Sequence, residues 1–144
     1  MEDLVIDTSV IIKWYALPRE PGFERAKRLL LEHGRGAYRL HVPLLAFYEV
    51  GNVLRYTAQR LPLPAQARHL SDLFAINLST YPLTLTRALV SEELADAFDI
   101  SFYDACFVAL AQELNVSFVT ADERLHRRLT TLPFVHTLAS SHLG

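Results

Sequence analysis

Several ingredients are scarce in this chain, and each shortage removes a class of protein. One cysteine, Cys106, stands in 144 residues, so no internal disulfide can form and a reducing compartment suits the chain. Long apolar runs are missing. The stretch from Leu4 to Ile12 is broken by Asp7, and nothing approaches the roughly 18 apolar residues that cross a bilayer. The opening Met1-Glu2-Asp3 has no basic segment ahead of an apolar one, which speaks against a secretory leader. The expectation is a soluble cytoplasmic protein without membrane attachment. Cationic excess is also absent: 14 Lys and Arg face 16 Asp and Glu, for a net charge of −2. Broad phosphate neutralisation therefore cannot drive nucleic-acid binding, and any such contact has to be local or metal-mediated. Nucleotide-loop motifs of the G-x-G-x-x-G or G-x-x-x-x-G-K-[ST] kind do not occur. The histidines at 33, 41, 69, 126, 136 and 142 show neither H-E-x-x-H nor an i, i+4 pair, so zinc lacks its spacing.

Apolar residues, by contrast, are plentiful at 51%. A chain of this length buries roughly two-thirds of its unfolded surface, which fits one domain with one core. A single domain over residues 1–139 is expected, with a frayed tail over 140–144. Leu4-Val5-Ile6 reads as a buried strand, and Thr8-Ser9 then supplies capping chemistry for a helix through Val10 to Trp14, stopped by Pro18. Pro21 precedes an amphipathic helix that closes near Gly34. Residues 38–42 suggest a second strand, and Pro43 opens a helix running to about Arg60. Further helices are expected over 65–78, 87–98, 102–114 and 121–129. Strands are expected over 80–84, 116–120 and 134–136. The 102–114 helix is apolar nearly all round, so Cys106 on it should be a buried, inert thiol. This alternation predicts an α/β fold: a three-layer α/β/α sandwich around a mainly parallel sheet. Functional groups in such sheets gather beyond the C-terminal strand ends. Asp7 and Asp122 both follow a predicted strand.

Four carboxylates stand out. Asp7 serves either chemistry or an Asx turn. Glu49 has apolar Leu45 and Val53 at i−4 and i+4, so it lies in or beside a buried stripe and needs a cation, either an Arg such as Arg55 or a metal. Asp104 sits in the first turn of the most apolar helix, where Ser101-x-x-Asp104 also matches a capping box. In Thr120-Ala121-Asp122-Glu123 the same spacing makes Glu123 the capping partner, leaving Asp122 without that duty. Acids gathered in one place repel and call for a cation. Hard oxygen ligands suit Mg²⁺, with Mn²⁺ as a substitute, and phosphodiester hydrolysis uses that arrangement.

The segments Val5-Ile6-Asp7-Thr8-Ser9, Tyr48-Glu49-Val50-Gly51-Asn52-Val53-Leu54, Tyr103-Asp104-Ala105 and Phe118-Val119-Thr120-Ala121-Asp122 together resemble the PIN-domain family. The likeness is strongest to ribonuclease toxins of VapC type from toxin–antitoxin pairs, and it spans nearly the whole chain in order. It implies a PIN-like α/β/α sandwich and metal-dependent endoribonuclease activity that leaves a 5′-phosphate and a 3′-hydroxyl. Asp7, Glu49 and Asp104 would be the principal Mg²⁺ ligands, direct or through water, with Asp122 as the fourth. Thr8, Ser9, Asn52 and Thr120 would orient the carboxylates or the phosphate. A homodimer and an antitoxin protein are the implied partners, with RNA as substrate. The segment 62–87 matches no motif. Lys13, Arg55, Arg60, Arg124, Arg127 and Arg128 are candidate phosphate contacts, while Trp14 and Tyr15 suggest a protein interface. Two rivals remain: phosphoryl transfer through an aspartyl intermediate, for which no late lysine is available, and a non-catalytic PIN-like protein-binding module.

Overall fold

A computed structural model describes residues 1–15, 20–56 and 61–139. Its elements run β1 (Glu2–Ile6), α1 (Thr8–Lys13), α2 (Phe23–Gly34), β2 (Tyr38–Pro43), α3 (Leu45–Tyr56) and α4 (Leu63–Ala75). They continue with β3 (Ser79–Tyr81), α5 (Leu85–Phe98), α6 (Phe102–Leu114), β4 (Ser117–Thr120), α7 (Glu123–Arg128) and β5 (Val135–Thr137). The strands form one sheet in the order β3-β2-β1-β4-β5, parallel throughout.

Leu4, Val5 and Ile6 are fully buried because β1 is the central strand, with helices on both faces of the sheet. A strand covered on both sides needs an unbroken apolar run rather than alternation, and that is what these residues supply. Parallel crossovers are right-handed. The links β1 to β2 and β2 to β3 therefore put α1–α4 on one face, while β3 to β4 and β4 to β5 put α5–α7 on the other. Packing agrees: α1 touches α2 and α3, α3 touches α4, and α6 lies across β1, β2 and β4 with α5 against it. The expected α/β sandwich stands. Strands are added to one side of β1 up to β3 and then to the other from β4 onward, so the β1/β4 junction is the switch point where a crevice opens at their C-terminal ends.

Helix α6 is the inner helix of its layer: Ala105, Phe107, Val108, Ala109, Leu110 and Ala111 are buried, and Phe107 meets Phe118 of β4 at 6.2 Å. Trp14 is a core residue rather than an interface one. It is 8% exposed, and its indole N–H donates to the Ala26 carbonyl at 2.8 Å.

Element ends moved for local reasons. Helix α4 starts at Leu63 with Pro64 in its first turn and ends before Asn77, whose φ of 62° cannot continue a helix. Thr84 is not strand but the cap of α5, its hydroxyl accepting from Arg87 N–H at 3.2 Å. Asp99 and Asn115, at φ 53° and 55°, stop α5 and α6. Pro18, Arg60 and the tail at 140–144 lie outside the described residues.

Candidate active site

Asp7 leaves the end of β1 and is 5% exposed. It occupies the N-cap position of α1, yet its carboxylate caps nothing; Oδ2 accepts instead from Ser9 Oγ and Thr120 Oγ1, both at 2.7 Å. These bonds tie the end of β1 to the end of β4. Thr120 is fully buried, and its Oγ1 also accepts from Asp122 N–H at 3.0 Å, while Ser9 Oγ accepts from Ala121 N–H at 2.9 Å. Thr8 Oγ1 reaches across to α3 and donates to Glu49 Oε1 at 2.7 Å. Thr8, Ser9 and Thr120 thus each donate a hydrogen bond to one of the carboxylates. Asn52 is exposed on α3, and its side chain makes no hydrogen bond among the described residues.

Asp104 enters from α6, where Ser101 is the cap: its Oγ accepts from Asp104 N–H at 3.0 Å. That bond uses the backbone of Asp104 and none of its carboxylate oxygens.

The expectation that Asp122 is free of capping duty is wrong. Asp122 is itself the cap of α7, with Oδ1 accepting from Arg124 N–H at 3.0 Å and Leu125 N–H at 3.1 Å. Thr120 cannot take that role because its hydroxyl is committed to Asp7 and to Asp122 N–H. The helix accordingly starts at Glu123 rather than Ala121.

Residues 4–129 match the sequence profile of the PIN domain. The chain belongs to the PIN-domain family. Ribonuclease VapC3 of Pyrobaculum aerophilum is 32% identical over 135 residues, covering 90% of this chain and 96% of that protein. Ribonuclease VapC9 of Mycobacterium tuberculosis is 41% identical over 91 residues, covering 62% of this chain and 69% of its own. Among solved structures, a toxin–antitoxin complex from Klebsiella pneumoniae superposes with a TM-score of 0.69 at 17% identity, covering 95% of this chain and 98% of that one.

Electrostatics link all four acids of this PIN domain. Burial pushes the Asp7 carboxyl above its ordinary value, against the lowering pull of its hydroxyl donors, and Asp122 adds repulsion. Glu49 is raised by burial and by the charges of Asp7 and Asp104, with Thr8 opposing. Asp104 is raised by burial, by Asp7 and by Asp122, with Ser101 opposing. No ion pair among the described residues involves any of the four. Arg55 lies over the Tyr56 ring at 5.5 Å and has no salt bridge to Glu49. Among the described residues, however, no three His, Cys, Asp or Glu side chains stand at the spacing of a single ion's ligand shell. The acids are near enough to repel, but not closed into a ready cage. As a donor set they suit a hard divalent ion: Asp7 is buried, Glu49 and Asp104 are half-buried and Asp122 is exposed, and among the described residues no cation pairs with any of them.

One neighbouring feature escaped sequence reasoning. An apolar cavity of about 230 Å³ has Leu44, Tyr48, Tyr103 and Cys106 among its walls, and none of the four acids lines it. The only sequence signal was that Tyr48 and Tyr103 directly precede Glu49 and Asp104. Cys106 is half-buried, and burial raises its thiol, as befits an unreactive cysteine.

Proposed function

We propose that this PIN domain is a metal-dependent endoribonuclease and the toxin of a toxin–antitoxin pair, acting in the cytoplasm. The carrying observation is the set of four mutually repelling carboxylates at the β1/β4 crevice, none paired with a cation among the described residues. The relatives named ribonuclease VapC support the substrate class, and the likeness to a toxin–antitoxin complex supports the toxin role.

Asp7, Glu49 and Asp104 would hold Mg²⁺ or Mn²⁺, partly through water, with Asp122 completing the set. Water-mediated contact accommodates the open spacing of the acids. When bound, the ion supplies a Lewis acid for in-line attack of water on an RNA phosphodiester. Ser9 and Thr120 fix one oxygen of Asp7 by donating to it, and Thr8 fixes one of Glu49, so both carboxylates are held in a set orientation. The apolar surface that includes Leu83 and Leu85, 60% and 76% exposed, suits a partner, and a homodimer is our reading of it.

The test is cleavage of RNA by purified protein with Mg²⁺ or Mn²⁺. Asp7→Asn and Asp104→Asn, each checked for folding, should lower the rate by about 100-fold or more; unchanged cleavage with the fold intact sinks the assignment. A non-catalytic protein-binding module is the second reading, favoured by the absence of three acids at ligand spacing among the described residues. It predicts no thermal stabilisation at millimolar Mg²⁺ or Mn²⁺, whereas a metal site predicts a rise.

A further inference from the structure

The acids are oriented from within, but a site of four negative charges also repels the polyanion it has to receive. A second cavity, of about 300 Å³, opens beside them between Thr8, Ser9, Lys13, Glu20, Val53 and Ala121. It therefore shares Thr8 and Ser9 with the carboxylate network, and Lys13 is the single cation in its wall.

Lys13 closes α1 four residues after Ser9, so the two side chains share one helix face. Lys13 and Ser9 also line the same cavity, as expected of side chains four residues apart on one helix face. The Lys13 stem is backed by Gly22, at φ +82°: a Cβ there would stand 3.1 Å from Lys13 Cδ and 3.2 Å from Cε. Several other cations are held in ion pairs: Arg35 with Glu32, Arg39 with Asp3, Arg87 with Glu113 and Arg128 with Asp99. Lys13 forms no ion pair among the described residues, although Glu20 lines the same cavity.

We propose that the Lys13 ammonium binds an RNA backbone phosphate adjacent to the scissile one, within the cavity walled by Ser9, Val53 and Ala121. The inference rests on the ribonuclease reading above. A compact ammonium with three donors suits a phosphate oxygen. Placed at the rim and unpaired with the acids, it offsets their repulsion of the strand without quenching them. The plain alternative is a helix-end lysine that only complements the dipole of α1.

Kinetics on a single-stranded RNA oligonucleotide separate the two. Lys13→Ala should raise KM about tenfold, the loss of one charge-assisted contact, with kcat little changed. The plot of log kcat/KM against log salt should become shallower by about 0.7, one phosphate contact fewer. Lys13→Arg should restore both. If Lys13→Ala does not fold, Lys13→Gln replaces it in the same comparison. Wild-type KM and salt slope in a folded, uncharged variant overturn the proposal while leaving the ribonuclease reading standing. Wild-type protein that leaves RNA intact with either metal overturns both.

Discussion

Thr120 performs two tasks from complete burial, donating to Asp7 Oδ2 and accepting from Asp122 N–H. Thr120→Val keeps the shape and removes both bonds, leaving Asp7 Oδ2 with the Ser9 hydroxyl alone and the Asp122 amide without its acceptor. A loss of about 1–3 kcal/mol is expected in urea unfolding, while Thr120→Ser should retain most of the stability. Asp104 gives the opposite outcome. Its raised pKa means the folded state holds its proton to higher pH than the unfolded chain does, so its ionisation weakens the metal-free fold as pH rises through that interval. Asp104→Asn should therefore raise the metal-free thermal midpoint at neutral pH by roughly 2–4 °C. The gap should close as pH falls into the ordinary carboxylate range; a constant gap counts against this origin. At this scale the residue types were legible and their duties only partly so. The acids Asp7, Glu49 and Asp104 could be named from short motifs, but the partner of Glu49 is a threonine 41 positions away rather than Arg55. Local spacing carries no record of such a pairing.

Caps decide where the helices of this sheet begin. Ser101 capping α6 was readable because the whole interaction lies within four residues. The cap of α7 was misread for the converse reason: Thr120 matched the local pattern, but a bond to a residue 113 positions earlier had claimed its hydroxyl. Asp122 thus combines an electrostatic role with a structural one, and substitution can split them. Asp122→Ala should cost about 1 kcal/mol of stability and weaken Mn²⁺ binding. Asp122→Ser keeps an acceptor for Arg124 and Leu125 N–H, so it should retain stability and lose only metal affinity. Melting curves with and without Mn²⁺ distinguish the outcomes; wild-type Mn²⁺ affinity in Asp122→Ser would remove Asp122 from the metal set.

Across the whole molecule, the alternation of apolar runs and amphipathic stretches was enough to anticipate a parallel sheet between two helical layers, since parallel strands require crossovers. Strand order was not legible, because nothing in β4 states that it lies beside β1. The helix expected over 65–78 and the strand over 80–84 shifted where Asn77 and Thr84 imposed backbone and capping demands that apolar periodicity does not encode. Mg²⁺ or Mn²⁺ should raise the thermal midpoint of wild type, and should do so less in Asp7→Asn, because an ion bound only to the native state stabilises it by mass action.

The four acids come from four separate stretches of chain, with Asp7 near one end of the sequence and Asp122 near the other. Synthesis runs in that same order. A growing chain that has made β1, α3 and α6 still lacks the strand that pins Asp7 in place, because Thr120 has not yet been added. Domains fold as units while the chain emerges. The arrangement of the four acids therefore cannot be completed before β4 and the residues that follow it have been made.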